Sequence, residues 1–315
     1  MNGENQREYF YLSGKNPEYD RIAKKLLSSR NILAWILKYC VEEFRDSDIA
    51  DIRDSYILGT PEVASTLVLP DQTNTGRIVG EANEDISITE GLVTFDIRFR
   101  AITPENEAIG LIVNIEAQKS AQLSYPLLKR AIYYCSRLIS SQHGVDFEKS
   151  HYEKIKKVYS IFICMNPPVY RKNTINCYSM QEKNMIGNVK EKRENYDLLT
   201  AVMICLGNKI DEADTGILRL LEVLLSSERQ AEEKKQILQR DYGIKMTESL
   251  ESEVTEMCDL SKGVEERGIQ KGIQKGIQRA AQNLMKNMKL SFSQAMDALG
   301  IPEDEREKYR ESVKK

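Results

Sequence analysis

The chain has 315 residues, with 45 Lys and Arg against 48 Asp and Glu; the net charge of −3 provides no global basic field for holding nucleic acid. Two histidines, His143 and His151, and six scattered cysteines without a Cys-x-x-Cys pair argue against a histidine-centred metal site, a zinc finger or a disulfide scaffold. No apolar run reaches the roughly 18 residues of a membrane span, and the opening MNGENQREYF lacks a signal peptide's basic and apolar regions, so the expected location is cytoplasmic.

Residues 1–18 are polar, contain Gly14 and Pro17, and are expected to form a flexible arm. From Tyr19 to Arg45 the apolar residues Ile22, Leu26, Leu27, Ile32, Leu33, Ile36 and Leu37 recur at helical spacing, with a break expected near Ser28-Ser29. Asp46 to Gly76 mixes charges with Gly59, Pro61 and Pro70 and predicts irregular structure around a short helix. Glu81, Glu84, Asp85 and Glu90 then lead as a charged loop into the most informative stretch, Leu92 to Gln118.

That stretch predicts two alternating strands. Side chains alternate across a strand, so Val93, Phe95, Ile97 and Phe99 share one face and Thr94, Asp96, Arg98 and Arg100 the other. In LIVNIEAQK, Leu111, Val113, Ile115 and Ala117 are the apolar face, and Ile112, Asn114, Glu116 and Gln118 project oppositely. The intervening TPENEAIG has hairpin composition. Folding about it brings Asp96 towards Glu116 and Gln118. Two carboxylates and an amide on one face suit a hard divalent cation, whose water ligand can attack a phosphodiester. The bland alternative is a wet polar face on an ordinary hairpin.

After the link KSAQLSY, Pro126 opens a predicted helix whose buried stripe is Leu127, Leu128, Ala131, Tyr134, Leu138 and Ile139. Lys129, Arg130, Tyr133 and Arg137 lie on its other flank, where Arg and Tyr also commonly cover a packing edge. VYSIFICM reads as a buried strand ended by Pro167-Pro168, INCYSM and AVMICL as further strands, and Ile217–Leu225 as an amphipathic helix. Charge-rich helical segments continue to about residue 260. The tail repeats Gly268-Ile269-Gln270-Lys271 as Gly272-Ile273-Gln274-Lys275 and Gly276-Ile277-Gln278-Arg279. In a helix each Gly costs about 1 kcal/mol relative to Ala, so the repeat is expected to act as a tether or to pair with a second copy in a homo-oligomer. SFSQAMDALG predicts a capped helix closing on Gly300, followed by a helix beginning with Glu303, Asp304 and Glu305, whose charge is wrong for reading DNA.

Asp96, followed twenty positions later by Glu116-Ala117-Gln118, resembles the metal-binding signature of the PD-(D/E)XK nuclease superfamily, in the Glu-x-Gln form of its recombination-promoting nuclease (Rpn) and transposase branch. EGLVTFDIRF, LIVNIEAQ, YPLLKRAIYYCSRLISSQ, HYEKIKKVYSIFICMNPP and NYDLLTAVMICLG extend the likeness over nearly the whole chain. The resemblance implies an α/β fold with a restriction-endonuclease-like αβββαβ core over about residues 19–168, elaborated to residue 260. A 261–282 repeat linker and a 283–315 helical module would complete it.

The resemblance also implies Mg²⁺ or Mn²⁺ held by Asp96, Glu116 and the backbone carbonyl of Ala117, and metal-dependent DNA endonuclease activity in recombination or mobile DNA. Gln118, where the superfamily usually carries Lys, would position water; it can hydrogen-bond but supplies no charge, and the adjacent Lys119 alternates away. Glu43 (or Glu42) would add a carboxylate from the first helical layer, Arg130 and Tyr133 would contact phosphate, and Gln142 is a weaker candidate. For Glu43 the plain alternative is a solvated helix-end carboxylate. A catalytically inactive, nuclease-derived DNA- or protein-binding module is the alternative reading, favoured by Gln118 and the balanced charge.

Overall fold

The computed structural model describes residues 17–62, 67–68, 84–87, 91–94, 96–116, 125–207, 216–226 and 229–313. The break at Ser28-Ser29 separates α1 (Pro17–Leu27) from α2 (Arg30–Cys40). α1 buries Ile22, Leu26 and Leu27, and α2 buries Ile32, Leu33, Ile36 and Leu37, the stripes that helical spacing requires. α3 (Ile49–Asp51) runs into a π-helical turn (Ile52–Tyr56) and then into β1 (Ile57–Glu62), a strand where composition had pointed to irregular structure.

β2 (Leu67–Val68), β3 (Glu84–Ser87) and β4 (Gly91–Thr94) form a small sheet. The main sheet holds β5 (Ile97–Ile102), β6 (Ala108–Glu116), β7 (Val158–Cys164), β8 (Thr174–Ser179) and β9 (Leu199–Cys205) beside β1, in the order β1-β5-β6-β7-β9-β8. The expected single strand from Leu92 to Arg100 is therefore two: Gly91–Thr94 lies in the small sheet and Ile97–Ile102 in the main one, with Asp96 in a bend between them.

β1, β5 and β6 pair antiparallel. β7 pairs parallel with β6, a connection that needs a crossover, supplied by α4 (Leu127–Ser140). The order α2, β1, β5, β6, α4, β7 is the expected αβββαβ core, with β2–β4 inserted before β5. β7 is buried at every position, as a central strand covered on both faces must be. Val158, Phe162 and Cys164 of β7, with Ala201, Met203 and Cys205 of β9, pack against Leu127, Ala131, Tyr134, Cys135 and Leu138 of α4. By alternation Tyr159, Ile161 and Ile163 face the sheet's other side, which the α2 layer covers.

α5 (Ile217–Leu225), α6 (Ala231–Tyr242) and α7 (Glu248–Met288) follow. The Tyr19 hydroxyl donates to the Leu225 carbonyl at 2.7 Å, and Trp35 meets Tyr242 edge to face, so α5 and α6 close over α1 and α2. Buried Lys234 donates to the carbonyls of Leu224 and Ser226, satisfying the end of α5.

The chain divides into two compact units, Met1–Cys258 and Asp259–Lys315. In the second, the Gly-Ile-Gln-Lys repeat is helical within α7. α8 (Phe292–Ala298) opens with a reciprocal capping box between Ser291 and Gln294, Gly300 adopts φ +67, and α9 (Glu303–Val313) follows. Ala281, Ala295, Met296 and Tyr309 form this unit's own core.

Candidate active site

The register of β5 and β6 fixes where the acidic positions fall. Ile97 pairs with Val113, so one step further sets Asp96 across from position 114, with position 116 two residues beyond. Asn114 pairs with Phe162 and Glu116 with Cys164, and both of these β7 residues pack on α4. Backbone register therefore assigns positions 114 and 116 to the α4 face, while Asp96, in the bend just before β5, lies at the same end of the sheet. Arg98 and Arg100 share that face: Arg98 Nη2 donates to Ser141 Oγ at 3.2 Å, and Arg100 makes a bidentate pair with Asp146 at 2.6 and 2.9 Å. Arg98, Arg100, Leu138 and Gln142 line a small hollow of about 20 Å³ between this part of the sheet and α4.

Asp96 is 15 % exposed and its Oδ1 lies 2.8 Å from Lys24 Nζ of α1; the same ammonium reaches Asp20 at 2.6 Å. Burial pulls the Lys24 pKa down, but Asp96 and Asp20 outweigh it and hold the group above its ordinary value. Across on α4, burial raises the Tyr134 phenol, Arg130 opposes the rise, and the Asp96 charge adds to it. Asp96 thus lies within electrostatic reach of both α1 and α4. Lys24 was not legible as a site residue in the sequence: it reads there as one turn of an amphipathic helix, 72 residues before its partner.

Arg130 donates from Nε to the Tyr134 hydroxyl at 2.8 Å, and its guanidinium lies 5.1 Å from the Tyr134 ring centroid and 5.7 Å from that of Phe162. This fixes a cation over the first turns of α4, at the end of β7 where Cys164 pairs with Glu116. Tyr133 and Lys129 on the same turns are exposed.

Glu43 lies elsewhere. Its carboxylate accepts from the Tyr159 hydroxyl at 2.5 Å and pairs with Lys157 at 3.0 Å. Tyr159 faces away from α4, so Glu43 belongs to the face of the sheet opposite α4. Lys157 also binds Asp197 at 2.8 Å, and Arg193 joins Asp197 to Glu42, making this a polar cluster that fastens the β9 entrance to the end of α2. Gln142 is 5 % exposed and staples the Lys156 backbone in both directions, donating to its carbonyl at 2.9 Å and accepting from its N–H at 2.7 Å. That accounts for it structurally.

At Glu116 the backbone alone is described, and Ala117 and Gln118 lie outside the described residues, as do Glu81 and Glu90; Glu84 and Asp85 are on β3. Among the described residues no three His, Cys, Asp or Glu side chains stand together as a metal cluster. The donor chemistry nevertheless fits a hard cation: carboxylate oxygens are the ligands such ions take, and Asp96 already holds an ammonium. No helix among the described residues is long and apolar enough to cross a membrane.

A family model described as PD-(D/E)XK nuclease family transposase matches residues 77–257, which includes β4 to β9, α4 and the acidic positions. No curated protein and no solved structure matches the chain.

Proposed function

Because the chain belongs to the PD-(D/E)XK nuclease family transposases, we propose that it is a divalent-metal-dependent DNA endonuclease acting in recombination or on mobile DNA. What supports this reading is that Asp96, in the bend before β5, and position 116, at the end of β6, lie at the same end of the sheet, with a cation already at the Asp96 carboxylate. Asp96, Glu116 and the Ala117 carbonyl would hold Mg²⁺ or Mn²⁺. When bound, the ion supplies an activated water and neutralises charge developing on the phosphate.

The chain's own residues do the rest. Asp96, 15 % exposed, keeps its negative charge partly out of water, which strengthens its pull on a cation, and Glu116 would add a second carboxylate. Arg130, held rigid by Tyr134 and Phe162, presents a fixed positive charge to a phosphate entering past the start of α4. Gln118 would position the attacking water. Lys24 shares Asp96 in the free protein and supplies the cation that Gln118 lacks.

Incubating the protein with supercoiled plasmid and Mg²⁺ or Mn²⁺, beside Asp96→Ala/Glu116→Ala, tests this reading. Nicking by the native protein alone supports it. Gln118 in place of Lys favours a second reading, a non-cutting DNA- or protein-binding module. Absence of nicking with either metal, together with DNA affinity equal in the two proteins, would select that reading.

A further inference from the structure

The chain leaves β7 at Cys164, whose strand neighbour is Glu116, and runs through Met165–Pro168 into a 3₁₀ turn, Val169–Arg171, before re-entering the sheet at Thr174. This turn and the first turns of α4 therefore emerge at the end of the sheet that carries the acidic positions. The turn is well held: Pro167-Pro168 restrict its entry, Arg171 N–H donates to the Pro168 carbonyl at 2.8 Å, and Thr174 Oγ1 donates to the Arg171 carbonyl at 2.7 Å.

At its apex this rigid turn leaves Val169 and Tyr170 each 81 % exposed. An exposed aromatic gains nothing from folding, and its neighbours are cationic. The Arg171 guanidinium lies 5.8 Å from the Tyr170 centroid, and Lys172 follows. Lys129, Tyr133 and Tyr125 lie exposed at the α4 end of the same rim. A flat ring beside positive charge matches a nucleobase beside its phosphate.

We propose that the Pro167–Asn173 turn is a base-stacking contact: Tyr170 stacks on an unpaired base flanking the cut, Arg171 contacts the adjoining phosphate, and the favoured substrate is DNA with unpaired bases next to a duplex. This deepens the nuclease reading and rests on it.

The test is fluorescence anisotropy in EDTA, which excludes cleavage, with fluorescein-labelled blunt duplex and the same duplex carrying a single-stranded arm. The native protein prefers the armed duplex. Tyr170→Ala lowers affinity for it by about 5- to 150-fold, the effect of losing one stacked base, down to the level of blunt duplex; Tyr170→Phe retains the preference. Arg171→Ala weakens both forms and reduces the salt dependence. Circular dichroism confirms that these exposed-site variants fold. If Tyr170→Ala binds the armed duplex as tightly as the native protein, or the native protein shows no preference, the stacking contact is wrong while the nuclease reading stands. If the native protein binds neither DNA, the stacking contact is likewise wrong, and the plasmid assay decides the nuclease reading.

Discussion

Replacing Lys24 by Met removes one ammonium from between two carboxylates while keeping a stem of similar length to pack on α1. The Asp20 arm is 43 % exposed at its carboxylate and is worth only a few tenths of a kcal/mol. The Asp96 arm is different: with side chains 20 % and 15 % exposed at 2.8 Å, it is a charge-assisted bond shielded from water, worth about 1.5–3 kcal/mol. Lys24→Met should therefore lower unfolding free energy by about 2 kcal/mol, read from urea denaturation through Trp35, the only tryptophan, which packs between Tyr39 and Tyr242 in the same unit. The ammonium and a divalent cation compete for one carboxylate, so Mn²⁺ should raise the midpoint of Lys24→Met more than that of the native protein, narrowing the gap. A destabilisation below about 0.5 kcal/mol, or equal Mn²⁺ shifts in the two proteins, would refute the claim that Lys24 sits on the metal-binding carboxylate.

Three further outcomes follow from local geometry. Gln142→Leu strands the Lys156 N–H and carbonyl beneath the sheet and should cost about 1–3 kcal/mol in urea. The Tyr159 phenol is raised above its ordinary 10.0 by burial and by Glu43, and Lys157 stays above 10.5 because Asp197 and Glu43 outweigh its burial. The stabilisation from both is complete below pH 10 and lost above it, so Tyr159→Phe should flatten the alkaline fall in stability. Gly272→Ala and Gly276→Ala place methyl groups in open space on a helix, and each should stabilise it by about 1 kcal/mol, seen as a higher melting midpoint by circular dichroism at 222 nm.

Much of the core was legible because its signals are local. The stripes of α1, α2 and α4 follow helical spacing, the break at Ser28-Ser29 falls where predicted, and the all-apolar runs became the buried strands β7 and β9. The missed features are those in which two distant or equivalent patterns had to be told apart. Alternation runs unbroken from Val93 to Phe99, so nothing in it marks the passage from one sheet to another around Asp96. β1 carries Gly59 and Pro61, residues tolerated on an edge strand yet typical of loops. Which sheet face Glu43 meets depends on Tyr159, 116 residues away, and its place after the first helices does not show it. The repeat was expected to be a tether or a pairing helix; it is helical, its glycines embedded in the long run of α7.

The carboxylate site itself is tested most directly by single-turnover cleavage of an end-labelled duplex with an unpaired arm in Mg²⁺, comparing the native protein with Asp96→Asn at matched folded fraction by Trp35 fluorescence. Asp96→Asn keeps the shape and a hydrogen-bond acceptor for Lys24 but removes the negative charge that holds the ion, so the rate should fall by about a thousandfold or more with the protein still folded. Cleavage by folded Asp96→Asn within a few-fold of the native rate would contradict the proposal that Asp96 holds the metal of the active site.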